Sequence, residues 1–399
     1  MQNKMWMATM VSLAAVGAAP ALGALTAAAT PDTTPAAASA PDASRAPMLP
    51  QEGNPANTEL DGYKRWLSRL GDPAAALAAD KTLADNIVSW QMPHGGFYKS
   101  PAWYAAPWNG SAPRSGWLGN GVELGTIDND ATVAEILVLA DVYARTGNTA
   151  YRNSARKAFD FLLNMQYPSG GFPQVYPSRG ARSYSNHVTF NDNAMVRVLL
   201  LLDAVSRNEG PFKGDIFSAQ QRARIAPALD AAVGFILKAQ IVQDGVKTVW
   251  CAQHDPVNYA PVTGRSFELP SKSGAESAKI VEFLMRRPQT PELAAAVKAA
   301  LAWYRRSAVQ VKDTAFEVVR SRAANTSPFV HRPGTTTWYR FYDLATDTGF
   351  FSGRLPTDTP PGVGKQYDIM KVGPESRYTY QWGGPYGTPL LAYARQVGY

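Results

Sequence analysis

Three stretches of this chain look alike, and their spacing limits the folds open to it. They are 86-NIVSWQMPHGGFYKS-100, 161-FLLNMQYPSGGFPQVYP-177 and 235-FILKAQIVQDGVKTVW-250. Each is an apolar helical stripe that ends at a glutamine and gives way to a Gly-containing turn and then an aromatic residue. The glutamines are Gln91, Gln166 and Gln240, spaced 75 and 74 positions apart. A fixed period of this size marks stacked supersecondary units that bury their apolar faces only against their neighbours.

What fills the period is helical. In 130-DATVAEILVLADVYARTGNTAYRNSARKAFDFLLNMQ-166, the apolar positions Val133, Ile136, Leu137, Ala140 and Ala144 follow the i, i+3, i+4, i+7, i+11 pattern. Gly147-Asn148 breaks that helix, and a second starts after Thr149. Residues 190–210 followed by 218–240 repeat the plan. The expected fold is therefore all-α: an (α/α) toroid of about three helix-hairpin repeats, with long loops lining a groove. An open α-solenoid shares the period. The Pro- and Gly-rich stretch from Phe350 to Tyr399 does not continue the repeat, which favours a closed body with covering loops.

The chain divides into three parts. Residues 1–29 read as a secretory signal peptide: Lys4 with no acid, a mostly apolar run from Trp6 to Leu25, and a small-residue finish with cleavage between 24 and 29. A membrane anchor is the alternative, and Pro20 with the small residues argues for cleavage. Residues 30–56, mostly Ala, Pro, Thr and Ser, have too little apolar surface to offset ordering and read as a disordered linker. Residues 57–399 are expected to form a single domain. No later segment has eighteen uninterrupted apolar residues, so the mature protein is expected off the membrane; the signal peptide makes it secreted or periplasmic, and a monomer is expected.

The formal charge is +7, or +6 once Lys4 leaves with the signal. A basic exported protein invites an acidic partner. The chain has no Lys/Arg run, zinc spacing or RNA-binding motif, so an anionic polysaccharide is expected rather than nucleic acid. Its single cysteine, Cys251, cannot form an intrachain disulfide and is expected to be a buried small hydrophobe.

Four clusters could carry chemistry. In 125-GTIDNDATVAE-135 and 187-HVTFNDNAMVR-197, Asp and Asn crowd a helix start in successive repeats. One cap needs one such residue. Oxygen-rich clusters that face one another suit calcium, which takes six to eight hard oxygen ligands. Four scattered histidines make a zinc site a poor fit. The third cluster is the loop 250-WCAQHDPVNYAPVTGRSFELPSKSG-274, too polar and too broken to be a helix or a buried strand. The fourth is 335-TTTWYRFYDLATDTGFFSGR-354, whose Arg340 and Arg354 could pair with Asp343 or Asp347, or clamp carboxylates.

The motifs TIDNDAT, QYPSGGFPQVYP, HVTFNDNAM, VWCAQHD, GRSFELPSKSGAES and WYRFYDL, in that order over roughly residues 58–385, together resemble the family 10 polysaccharide lyases, which are pectate lyases. The resemblance implies an α/α toroid that cleaves polygalacturonate by calcium-assisted β-elimination, yielding 4,5-unsaturated oligogalacturonides. It implies that Arg265 is the catalytic base, and that Asp128, Asp192 and Asn129 hold the metal. Arg340, Arg354, Lys99, Asn191 and His254 are the expected substrate-binding residues. The chain departs from the family pattern at Asn193, where a second Asp is expected, and at Ser266 and Phe267, which replace a small residue and a Tyr. Two rivals remain. One is a glycoside hydrolase on the same toroid, with Asp128 and Asp192 as acid and base. The other is a non-catalytic binder of acidic polysaccharide.

Overall fold

A computed structural model of the chain describes residues 77–317, 326–353 and 364–399. The signal peptide, the linker and Arg354 lie outside the described residues. Ten α-helices are described: α1 Leu77–Trp90, α2 Val133–Thr146, α3 Thr149–Met165, α4 Ala194–Ser206, α5 Ala219–Ala223, α6 Ile225–Ala239, α7 Glu276–Met285, α8 Pro291–Arg305, α9 Pro374–Thr379 and α10 Gly387–Gln396. The β-structure consists mostly of two-residue strands.

The helices start and stop where local chemistry says they should. Asn148 caps α3 by accepting from the Ala150 amide, and Thr290 caps α8 by accepting from the Leu293 amide, with Pro291 at the first turn. Gly147 ends α2 in the left-handed conformation. The helices then sort into two layers by burial. In α4 and α7 nearly every residue is buried, and in α2 every residue from Val133 to Val142 except Ala134, polar ones included, as expected of helices surrounded by other helices. In α3, α6 and α8 one face is buried and the other meets solvent. Inner helix α4 touches α2 on one side and α7 on the other, and α7 continues to α10. Each inner helix packs on its own outer partner: α2 on α3, α4 on α6, α7 on α8.

The repeating glutamines explain the period. Gln91 Nε2 donates to Gly95 O and to Ser154 O of α3, both at 2.9 Å. Gln166 does the same to Gly170 O and to Ala228 O of α6, also at 2.9 Å. Gln240 donates to Thr248 O at 3.0 Å and to Ala296 O of α8 at 2.9 Å. Both amide hydrogens are spent each time, one closing the turn after a helix and one stapling it to the next repeat's outer helix. Each bond contributes about 1 kcal/mol net, and its buried acceptor would cost more if left bare.

A second regularity places the site. Each inner helix is preceded by a two-residue strand that pairs with the chain emerging after an outer helix. Gly125–Thr126 pairs with Val175–Tyr176, Val188–Thr189 with Gln253–His254, and Lys272–Ser273 with Phe341–Tyr342. These rungs hold the starts of α2, α4 and α7 at one end of the helices. They also correct one expectation. The stem of the 250–274 loop is buried from Trp250 to His254 and includes a short strand, because its backbone closes the rung beside α4. Below the loop a satellite core of Ala252, Phe267, Phe341, Phe350, Phe351, Ile369, Val372, Tyr380 and Trp382 supports it. Cys251 is buried and unpaired, as expected of a small hydrophobe. No described helix is long and apolar enough to cross a membrane.

Candidate active site

The two Asp/Asn clusters adopt the same backbone. Asp128–Asp130 and Asn191–Asn193 each form one turn of 3-10 helix. Asn129 and Asp192 take φ of 50° and 51°, and Asp130 and Asn193 take 64° and 62°. Asn and Asp enter this left-handed region at less cost than other side chains, which explains why only these residue types stand there. Thr132, outside the cluster, is the N-cap of α2, and Asn193 at the N-cap of α4 makes no side-chain cap bond.

Each carboxylate has a cation. Lys99 Nζ lies 2.5 Å from Asp128 Oδ2. Asp130 pairs with Arg197 of α4, both buried, which ties the first start to the second. Arg340 Nη2 lies 2.7 Å from Asp192 Oδ1 and also pairs with Glu276, which ties the second start to the third. Asn191 accepts from Arg340 at 3.1 Å and donates to Asp192 Oδ2 at 2.7 Å, so it orients that carboxylate. Glu276, the first residue of α7, is buried and held by Ser273 Oγ as well. It occupies in the third repeat the place of the Asp/Asn clusters in the first two. The sequence reading passed over it because Gly-Ala-Glu-Ser has none of their crowding.

Arg265 stands on the loop that follows Gln253–His254. Its amide donates to Glu268 Oε2 at 2.8 Å, and its guanidinium pairs with Glu268 Oε1. Tyr380 Oη donates to the same Oε1 at 3.1 Å. The guanidinium lies 4.8 Å from the centre of the Phe267 ring and keeps 38% exposure, while Glu268 is 2% exposed. Gly264 makes this turn close: a Cβ there would stand 2.6 Å from Glu268 Oε2. The buried partner is thus fixed and the arginine reaches outward.

The fields at the two starts differ. Burial pushes Asp128 above the usual carboxylate range; Lys99 opposes this and the charge of Asp192 adds to it. Burial acts on Asp192 too, but Arg340, Arg265 and Arg197 outweigh it and hold that carboxyl below the usual range. Asp130 is raised to about 6 by burial, against Arg197. Burial lowers the Arg265 guanidinium, yet the hydrogen bond and charge of Glu268 more than reverse this and leave it raised.

The expected site residues therefore sort into groups. Asp128, Asn129, Asp192, Lys99, Asn191, Arg340 and Arg265 share one neighbourhood. Within it Arg340 and Asn191 are turned to Asp192, as groups that position it rather than open ligands. His254 is a correction. It is fully buried, accepts from the Cys251 amide at 2.9 Å and faces Tyr259 O at 2.8 Å, so both ring nitrogens are turned to the backbone and it braces the stem of the arm. Among the described residues, no three His, Cys, Asp or Glu side chains gather closely enough to hold a metal by themselves. What the site offers a cation is two neighbouring carboxylates of opposite pKa shift, Asp128 and Asp192, with the remaining ligand places left to other oxygens.

Comparisons with known proteins bear on this arrangement. A family model described as pectic acid lyase matches residues 91–391. The structure of the family 10 polysaccharide lyase from Cellvibrio cellulosa superposes with a TM-score of 0.69 at 40% identity, covering 88% of this chain and 98% of that one. A mutant of that lyase, in complex with trigalacturonic acid, superposes equally well at 39% identity, covering 86% and 98%. No curated protein sequence matches. The repeating helical scaffold with its polar site is thus that of a polysaccharide lyase. The chain belongs to the pectic acid lyase family.

Proposed function

We propose that this chain cleaves polygalacturonate by calcium-assisted β-elimination, with Arg265 as the base. The carrying observation is Arg265 itself: a half-exposed guanidinium on a braced arm, in the field of both Asp128 and Asp192. The relative in complex with trigalacturonic acid supports an acidic polysaccharide as substrate.

In this reaction the base removes the proton at C5, the electron pair forms the C4=C5 double bond, and the C4–O4 bond breaks with O4 taking a proton. Calcium, held by Asp128 and Asp192 with Asn129 alongside and completed by uronate oxygens, would neutralise the charge that develops on the carboxylate beside C5. Lys99, which lies against Asp128, would meet a uronate carboxylate. Arg340 and Asn191 keep Asp192 ionised and aimed. Glu268 holds Arg265 in place while it is protonated. Taking the C5 proton requires the neutral form, whose fraction rises tenfold per pH unit below the pKa. Activity should therefore climb steeply from about pH 6 to about pH 9.

The same reading takes the two helix layers as a closed (α/α) toroid, and the chain as an exported monomer that sheds residues 1–29. The deciding measurement follows ultraviolet absorbance of unsaturated uronide during incubation with polygalacturonate, with calcium and with chelator. Absorbance that rises with calcium and stops with chelator is the expected result. Chain shortening with no unsaturated product would put Asp128 and Asp192 in the roles of hydrolytic acid and base. Retention on polygalacturonate without cleavage would leave a binding protein.

A further inference from the structure

We propose that Arg179, Trp117 and Lys99 form a separate subsite for a uronate unit, beside the reacting one; this rests on the reading of the chain as a polygalacturonate-binding enzyme. Four cations of the site already have carboxylates: Lys99 has Asp128, Arg197 has Asp130, Arg265 has Glu268, and Arg340 has Asp192 and Glu276. Arg179 differs. No ion pair joins it to any carboxylate among the described residues, and its Nη2 is buried without a hydrogen-bond partner. Its guanidinium instead lies 4.5 Å from the centre of the Trp117 ring. Lys99 Nζ lies 5.0 Å from the centre of that same ring. One indole thus links the unpaired arginine to the lysine on Asp128.

The platform is built rather than incidental. Tyr98 braces the indole edge-on, with ring centres 5.1 Å apart. Gly119, in the tight hairpin that follows Trp117, approaches loop residues 178–179 so closely that a Cβ would stand 2.2 Å from Ser178 O. Any side chain at 119 would part the hairpin that carries the ring from the loop that carries the arginine. A cation over an indole gains about 0.5–2 kcal/mol, which does not replace an anion for a buried N–H. The ligand that completes this arrangement is planar, anionic and attached to an apolar ring face. A hexuronate fits: its carboxylate takes the guanidinium fork and its C–H face lies on the indole. Through Lys99 the subsite is continuous with Asp128, so a neighbouring unit of one polysaccharide chain is the occupant.

The test compares the parent enzyme with Arg179→Gln and Arg179→Ala, using polygalacturonate and an oligogalacturonate ladder from the dimer upward. For the long substrate KM should rise about tenfold with kcat within about twofold, the loss expected for one charge-assisted contact used equally in binding and reaction. The shortest cleaved oligomers should be unaffected, so the advantage of longer chains shrinks. Unchanged KM at every length would overturn the subsite. So would a fall in kcat at every length, the shortest included, since Arg179 would then serve the reacting unit. A parent enzyme that makes no unsaturated product would overturn the functional reading instead. Calorimetric titration of parent and Arg179→Gln with trigalacturonate would still decide the subsite, because equal affinity for the two proteins rejects it. Circular dichroism melts show whether either variant has lost its fold.

Discussion

The starts of α2 and α4 are copies of one backbone turn carrying opposite charge patterns. The first reads Asp-Asn-Asp over 128–130 and the second Asn-Asp-Asn over 191–193, with φ values that agree within 2° at both left-handed positions. Yet Asp128 is pushed up by burial and by its neighbour Asp192, with Lys99 and, more weakly, Arg265 to oppose them. Asp192 is held down by three arginines. Side-chain chemistry around the turn, rather than the turn, sets the state of each carboxylate. One start is anchored as an anion, while the other accommodates its charge only with a cation beside it. Pairs of carboxyls driven apart in this way divide labour in many active sites.

Arg265 is the half-exposed cation whose charge reaches both Asp128 and Asp192, so Arg265→Lys is the strongest probe. Lysine keeps the positive charge that both aspartates feel and removes the planar guanidine. Turnover should fall about 10³-fold, within the range for loss of a general base, while binding of oligogalacturonate and the melting temperature stay near the parent's. Substantial turnover in the lysine variant would remove Arg265 as the base.

Acid should separate the two starts next. The rung before α4 pairs with Gln253–His254, and burial depresses His254 to about 4. The rung before α2 pairs with Val175–Tyr176 and carries no histidine. Between pH 6.5 and 4 the unfolded chain binds a proton at His254 that the folded one refuses, so stability present at neutral pH is lost as pH falls. The contribution is about 3 kcal/mol over that window. Asp128 and Asp130, raised in the fold, act with the opposite sign, so the informative quantity is the difference between parent and His254→Gln. In denaturant titrations from pH 7 to pH 4 the variant should lose less stability than the parent. Parallel curves would mean that the stem opens to water.

A paired substitution then reads the comparison directly. Asp192→Asn takes from the buried Arg340 one of its two carboxylates, leaving Glu276 as the charged partner, and should cost about 2 kcal/mol. Asp128→Asn frees Lys99, which is 27% exposed and can be hydrated, and should cost less than about 1 kcal/mol. Both should weaken the calcium requirement and the activity. Equal losses of stability would show that Arg340 does not depend on Asp192.

Much of this was legible in the sequence, for physical reasons. The glutamines recur because each repeat needs the same two buried carbonyls satisfied, and helical periodicity follows from the face each helix buries. The helix starts show as Asp/Asn clusters because left-handed turns admit few other residues. What was hidden lies in pairings across the fold. Glu276 reaches Arg340 over 64 positions, and Arg197 finds Asp130 over 67. No local pattern announces either, nor that Arg179 lies over Trp117. The 250–254 stem misled because its polar residues bond to backbone groups inside the protein. Buried polarity that is satisfied in this way looks, in sequence, like a surface loop.

The smallest expected effect tests whether the second start can be made into the first. At the equivalent third position, Asp130 meets Arg197, whereas the Asn193 Oδ1 is buried with no hydrogen-bond partner. Asn193→Asp would place a second carboxylate near Asp192 with no new cation to receive it. Burial and the charge of Asp192 would both raise its pKa, so the cost appears only when it ionises. In chelator at neutral pH the variant should be about 1 kcal/mol less stable than the parent, and the gap should close as pH falls below about 5. Calcium should also close the gap, because an ion bound between the starts favours an added carboxylate in the folded state alone. Melts over pH, with and without calcium, check both arms. A gap that calcium leaves unchanged would place the ion away from the second start, and the likeness of the two turns would then be one of backbone only.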